Sequence, residues 1–136
     1  MSSSFLRIEG DSYLDFTVIS STEITELDCH FREIVHEPSG ARIIHIENED
    51  PENVFCLAFK TPPEDSTGVA HIVEHTVLCG SKKFPVKDPF FAMTRRSLNT
   101  FMNALTGADY SCYPAASMIE KDFYNLLEVY IDAVFH

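Results

Sequence analysis

Polar and apolar positions change rhythm along the chain, from near-alternation in the first sixty residues to helical spacing afterwards. Segments around Phe16–Ile19 and Asp28–His36 read as strands, and Pro38-Ser39-Gly40 supplies a turn before a further strand at Ala41–Glu47. Within that strand, Arg42, Ile43, Ile44, His45 and Ile46 alternate only in part, as a half-exposed strand does. Asn53–Thr61 is the most apolar strand candidate, and Pro62-Pro63 ends it because proline cannot donate to a ladder. Asp65 or Ser66 is placed to cap a helix running to about Cys79, with Gly80 as its stop. A second helix is expected from Asp88-Pro89, where the missing N–H of a first-turn proline costs nothing. Asn99–Leu105 and Tyr110–Tyr113 read as a hairpin around Thr106-Gly107-Ala108-Asp109. Ser117-Met-Ile-Glu120 has the form of a capping box, and Ile119, Phe123, Leu126, Tyr130 and Val134 share one face of the helix that follows. The pattern is still running at His136, so a longer parent chain is expected.

Strands followed by helices, with short connections, predict an α+β fold: a mainly antiparallel sheet with helices packed on one face. At 136 residues the chain is long enough for one domain or part of one. Hydrophobic residues at 45% and charged residues at 23% match an ordinary globular domain. The net charge of −11 is spread along the chain, and the only close basic pairs are Lys82-Lys83 and Arg95-Arg96, so nucleic-acid binding is not expected. An acidic body serves solubility first and can also favour basic peptides. The four cysteines, Cys29, Cys56, Cys79 and Cys112, form no CxxC pair, and reduced, mostly buried thiols are the expectation. Met1-Ser-Ser-Ser-Phe-Leu-Arg7 lacks a basic stretch followed by an apolar run, and no window approaches the ~18 apolar residues of a membrane span. These features predict no membrane partner and a cytoplasmic location, or an organelle matrix if a transit peptide has been omitted.

The chemistry concentrates in His71-Ile-Val-Glu74-His75. On a helix these three polar side chains fall at i, i+3 and i+4 and leave one face within a turn, while Val69, Ala70, Ile72, Val73 and Val77 are expected to anchor the other side in a core. Imidazoles at i and i+4 can converge on one Zn²⁺, leaving room for a further carboxylate and a water. Glu74, beside the metal rather than on it, is then placed to deprotonate that water for attack on a scissile carbonyl and to protonate the leaving amine. The motif is H-x-x-E-H, the inverse of H-E-x-x-H. Random placement gives about 0.02 such motifs in a chain of this composition, which sets the triplet apart from an ordinary solvated face. His30, His36 and His45 lie in strand-like segments and read as exposed or hydrogen-bonded residues. Cys79, four positions after His75, is a packed free cysteine, a fourth soft ligand or a redox-sensitive thiol, the first being the expectation. Tyr110 and Tyr113 either line a groove or pack on the hairpin.

Several blocks in order carry a resemblance: Phe59-Lys-Thr-Pro-Pro63, Gly68 through Ser81, Lys87-Asp-Pro-Phe-Phe91, Ser97 through Thr106, and Glu120-Lys-Asp-Phe-Tyr124. From about Tyr13 onward the chain resembles the pitrilysin/insulinase family of zinc peptidases, and within it the presequence-protease branch. The resemblance implies that His71 and His75 bind zinc, that Glu74 is the general base, and that Asn103 and Ala104 lie on an edge strand holding substrate backbone by strand addition. It implies short unfolded peptides as substrates, digested in a chamber closed by a second, homologous half of the parent chain. In such proteins the third zinc ligand is a glutamate roughly 75–100 residues beyond the motif, which falls past His136. Glu120 and Glu128 match no family ligand. Residues 1–136 therefore read as the N-terminal part of a catalytic domain, with the isolated piece inactive and open to self-association through apolar surface its missing half would cover. The alternatives are a non-catalytic structural homologue and a peptide-binding or dimerising module of the same fold.

Overall fold

The computed structural model describes residues 6–136. The first five residues of the stretch read for a leader lie outside them. The chain divides into two compact units, one ending at Asp50 and one running from Pro51 to His136.

The first unit is an antiparallel meander of β1 (Ser12–Tyr13), β2 (Phe16–Ile24), β3 (Cys29–His36) and β4 (Ala41–Glu47), in that order across the sheet. Strand β2 runs five residues past the expected Ile19, through the polar run Ser20–Glu23, because β3 pairs with it as far as Ile24↔Cys29. A bulge at Ile19 lets the register shift between Val18 and Ser20. Val18, Cys29 and Ile34 are buried, and so is Arg32 on the central strand. Its guanidinium is satisfied by Glu47 Oε2 at 2.8 Å, by the Arg7 carbonyl at 3.0 Å and by His45 Nδ1 at 3.2 Å. The arginine's hydrogen bond holds the Glu47 carboxyl below its ordinary pKa, while burial and then Arg32 push His45 down. His30 meets Ser21 and His36 meets Ser39, so all three strand histidines are hydrogen-bonded, as their positions suggested.

The second unit holds β5 (Asn53–Lys60), α1 (Val69–Val77), α2 (Pro89–Arg96), β6 (Phe101–Met102), β7 (Leu105–Thr106), β8 (Tyr110–Ser117) and α3 (Glu120–Phe135). The antiparallel ladders thus form two four-stranded sheets rather than one. In the second sheet β8 is central, with β5 on one side and β6 and β7 on the other. Phe55, Leu57 and Phe59 of β5, and Tyr113 and Ala115 of β8, share the face covered by Leu78, Leu126, Tyr130 and Ala133. The helices lie on that one face. Phe55 meets the Tyr130 ring edge-on at 5.3 Å.

Two helix starts differ from the sequence reading, each because a polar group is used locally. Asp65 does not cap α1; its Oδ1 accepts from the Thr67 N–H at 2.9 Å and closes a turn. The helix begins instead after Gly68, whose φ of 74° is a left-handed conformation that glycine adopts without strain. Ser117 ends β8, where its hydroxyl donates to the Leu98 carbonyl and accepts from the Ile119 N–H, so α3 begins at Glu120 without a side-chain cap. Buried Asp122 in its first turn is favoured by the partial positive charge of the helix N-terminus. At α2 the expectation holds: Asp88 accepts from the Phe91 N–H, and Pro89 occupies the first turn.

All four cysteines are free, but only Cys29 is buried; Cys56 and Cys79 are exposed. The expectation of mostly buried thiols fails at Cys56 because it alternates with Phe55 and Leu57 and so faces away from the helices.

The edge strand carries one irregularity that a helix repairs. β6 and β7 pair with β8 in a single register, with Met102 opposite Ala115 and Leu105 opposite Cys112, which sets Asn103 opposite Pro114. The Asn103 N–H donates to the Pro114 carbonyl at 3.1 Å, and Pro114 has no N–H to return. The hydroxyl of Tyr130, buried on α3, donates to the Asn103 carbonyl at 3.4 Å in its place. Burial raises the Tyr130 phenol far above its ordinary pKa, so it remains a donor at all working pH values. Removing that hydroxyl in Tyr130→Phe is expected to cost about 1 kcal/mol, read as a lower urea midpoint with an unchanged slope.

A second tie fixes the segment after α1. Asp132 on α3 accepts from the Ser81 hydroxyl and from the Lys83 N–H at 2.8 Å, and these bonds, Ser81's first, hold its carboxyl below the ordinary value. A depressed folded-state pKa stabilises the fold above the ordinary carboxylate range, and that stability is lost as pH falls through the lowered value. Thermal melts at decreasing pH are expected to lose this contribution in the acid range, and Asp132→Asn is expected to flatten that part of the profile.

Candidate active site

Helix α1 supplies the polar triplet, and its rotation on the sheet decides what the triplet can do. Ala70, Glu74, Val77 and Leu78, spaced at helical intervals of four, three and one, form the stripe turned toward the sheet. Glu74 is only 6% exposed and Leu78 5%, whereas Val69, Ile72 and Val73 are 62%, 61% and 47% exposed. This corrects the expectation that the apolar residues anchor the helix and the polar ones face a cleft together. A count of polar against apolar positions misplaces the buried face because a carboxylate sits inside it.

His71 and His75 lie at the rim of that face, with both side chains exposed. Their rings stack at 4.8 Å between centroids, and the two Nε2 atoms are 3.0 Å apart. Two imidazole nitrogens on one tetrahedral Zn²⁺ at ~2.05 Å are about 3.3 Å apart, so the pair fits a shared ion with a small ring adjustment. Glu74 Oε2 is 4.0 Å from His71 Nε2. Among the described residues, this is the only cluster of histidine, cysteine, aspartate and glutamate with metal-binding geometry, its ligand atoms lying within 4.8 Å of one another. Cys79 is outside it and is not packed either: its exposed thiol donates to the His75 carbonyl. Glu128 pairs with Lys83 on the outer surface of α3.

A buried carboxylate needs a donor. Thr106, at the end of β7, donates its hydroxyl to Glu74 Oε2 at 3.2 Å. Burial, and then the charge of Glu74, raise the pKa of the Tyr113 phenol on the neighbouring strand, which keeps it neutral beside the carboxylate. Tyr113 packs in the core, whereas Tyr110 is half exposed. An open groove of about 890 Å³ runs beside His71, with Phe59, Val73, Thr106 and Tyr113 in its walls.

Asn103 and Ala104 fall where β6 gives way to β7 on the sheet edge. Asn103 Oδ1 accepts from the Ala104 N–H at 2.9 Å. In this register Asn103 bonds inward to β8, so the main-chain groups of Met102, Ala104 and Thr106 turn outward. Sequence reasoning missed Thr106 and Tyr130. A proline inside a strand pattern, Pro114, was the available sign that an opposing carbonyl needed another donor.

Over 126 residues, 93% of its length, the chain is 52% identical to the mitochondrial presequence protease of Xenopus tropicalis and 51% identical to that of Mus musculus. Over 124 residues it is 48% identical to the mitochondrial presequence protease of Schizosaccharomyces pombe. The chain spans 12% of the length of each of these relatives. No family model matches it. The relatives are named mitochondrial, which overturns the cytoplasmic location expected from the residues. Free thiols and the lack of an apolar span suit either compartment, so composition does not separate them. With about half of its residues identical over nine-tenths of its length, this chain is similar to a short stretch of the mitochondrial presequence proteases.

Proposed function

We propose that this chain carries the base and two metal ligands of a zinc-dependent endopeptidase that cleaves short unfolded, presequence-like peptides in mitochondria. The observation that carries the reading is the meeting of His71 Nε2 and His75 Nε2 at 3.0 Å beside the buried carboxylate of Glu74. The names of the relatives support the substrate class and the compartment.

His71 and His75 would hold the ion through Nε2, their rings already stacked and facing the same point. A zinc ion there supplies Lewis acidity, acidifying water and polarising a scissile carbonyl. Glu74 accepts the proton of the attacking water at its carboxylate and passes it to the departing amine. Burial beside the sheet keeps bulk water from competing for that carboxylate. The edge at Asn103-Ala104 holds the peptide as an added strand, and the outward Ala104 N–H is the donor a substrate carbonyl would take over from Asn103 Oδ1.

The third ligand is proposed to come from sequence outside these 136 residues, since the described cluster offers two histidines and the base. Two imidazoles hold zinc weakly, so the isolated chain is proposed to be inactive, with the rest of the protein its necessary partner. In the full-length protein, chelation is expected to abolish cleavage of an unstructured peptide, and Glu74→Gln to lower kcat by about 10²–10⁴ while zinc stays bound. Full activity in Glu74→Gln would sink the mechanism. For the isolated chain, zinc titration is expected to give weak, substoichiometric binding that disappears in His71→Ala; tight one-to-one binding would show that the ligand set is complete without further sequence.

A further inference from the structure

Glu74 can act as a base only if its carboxylate is held at one place, and α1 alone does not hold it. The side chain has three rotatable bonds, and it reaches past the helix surface toward the sheet. Its oxygen is met there by Thr106, on a different element and 32 residues further along the chain. We propose that Thr106 is a positioning residue for the reaction: its hydroxyl fixes the Glu74 carboxylate, so the base is aligned by the same edge strand that presents Asn103 and Ala104. The inference rests on Glu74 being the base.

The placement of Thr106 is well suited to that task. A β-branched side chain is stiff at χ1, so its hydroxyl position follows its backbone. That backbone is fixed by pairing with Ser111 and by the turn bond from the Gly107 N–H to the Tyr110 carbonyl at 2.8 Å. Three residues upstream, Tyr130 anchors the same strand through the Asn103 carbonyl. Ala104 and Thr106 lie on the helix-covered face, two residues apart, while their own main-chain groups turn outward to a ligand. A peptide added to this edge would therefore be positioned by the strand that also orients the base. Displacing the base by a fraction of an ångström leaves peptide binding intact and slows the proton transfer.

The test is kinetic, on the full-length protein loaded with zinc and an unstructured peptide. Thr106→Val, nearly equal in shape but without the hydroxyl, is expected to lower kcat on the order of 10-fold or more, with KM and zinc content within about twofold of the unsubstituted protein. Thr106→Ser, which restores the donor, is expected to recover kcat to within about threefold. In the chelator-treated protein, a crystal structure of Thr106→Val is expected to show the Glu74 carboxylate displaced or in several rotamers. Unchanged kcat in Thr106→Val alongside an inactive Glu74→Gln overturns this inference and leaves the assignment of the base standing. An active Glu74→Gln overturns the assignment itself. A raised KM with unchanged kcat would make Thr106 a peptide contact and also overturn the positioning role. Should Thr106→Val lose its melting transition, Thr106→Ala, which adds no bulk, carries the same expectations and the same refutations.

Discussion

The second unit depends on a carboxylate being tolerated against a sheet. Glu74 occupies the stripe of α1 that docks, beside Val77 and Leu78, in a place where an apolar residue would ordinarily sit. An unmet charge there would cost several kcal/mol, so the helix can seat in this rotation only with a donor opposite Glu74. Thr106 supplies it. This bond and the packing of Val77 and Leu78 accompany the rotation that turns His71 and His75 outward and leaves Val69, Ile72 and Val73 exposed. Stability and the proposed chemistry draw on the same contact.

The strand that carries Thr106 is itself set by a defect. Proline in the central strand β8 removes one ladder donor, and most sheets avoid this by keeping proline at an edge. Here the gap is covered from α3 by Tyr130, which also forms much of the core with Leu126 and Phe55. A residue that would otherwise only fill volume thus fixes the main chain at Asn103. The edge keeps an N–H outward at Ala104, masked by the neighbouring asparagine side chain, which also spares it indiscriminate strand pairing.

The first unit obeys a similar rule with opposite charge. Arg32 is buried in the centre of a four-stranded meander, and three acceptors from β4 and the preceding chain surround it. The depressed pKa of Glu47 reflects that bond, as the depressed pKa of Asp132 reflects its bonds to Ser81 and Lys83. In each unit a buried charged side chain, Arg32 or Glu74, meets a partner from another element.

Local pattern was enough to read most of the elements. Strands β3, β4 and β5 fall within a residue or two of their expected ranges, because β-branched runs bounded by Gly and Pro leave few alternatives. The start of α2 was equally legible from Asp88-Pro89. Helix starts at Asp65 and Ser117 were not, because those side chains found other local partners than the expected helix N–H groups. The spacing of His71, Glu74 and His75 by itself determined that two imidazoles and a carboxylate share one turn of helix, since helical geometry allows nothing else. Which way that turn faces was decided only by tertiary structure. Glu74 is buried against Thr106, whose strand is paired with β8 and tied to α3 by Tyr130, and no single stretch of sequence encodes the mutual approach of these residues.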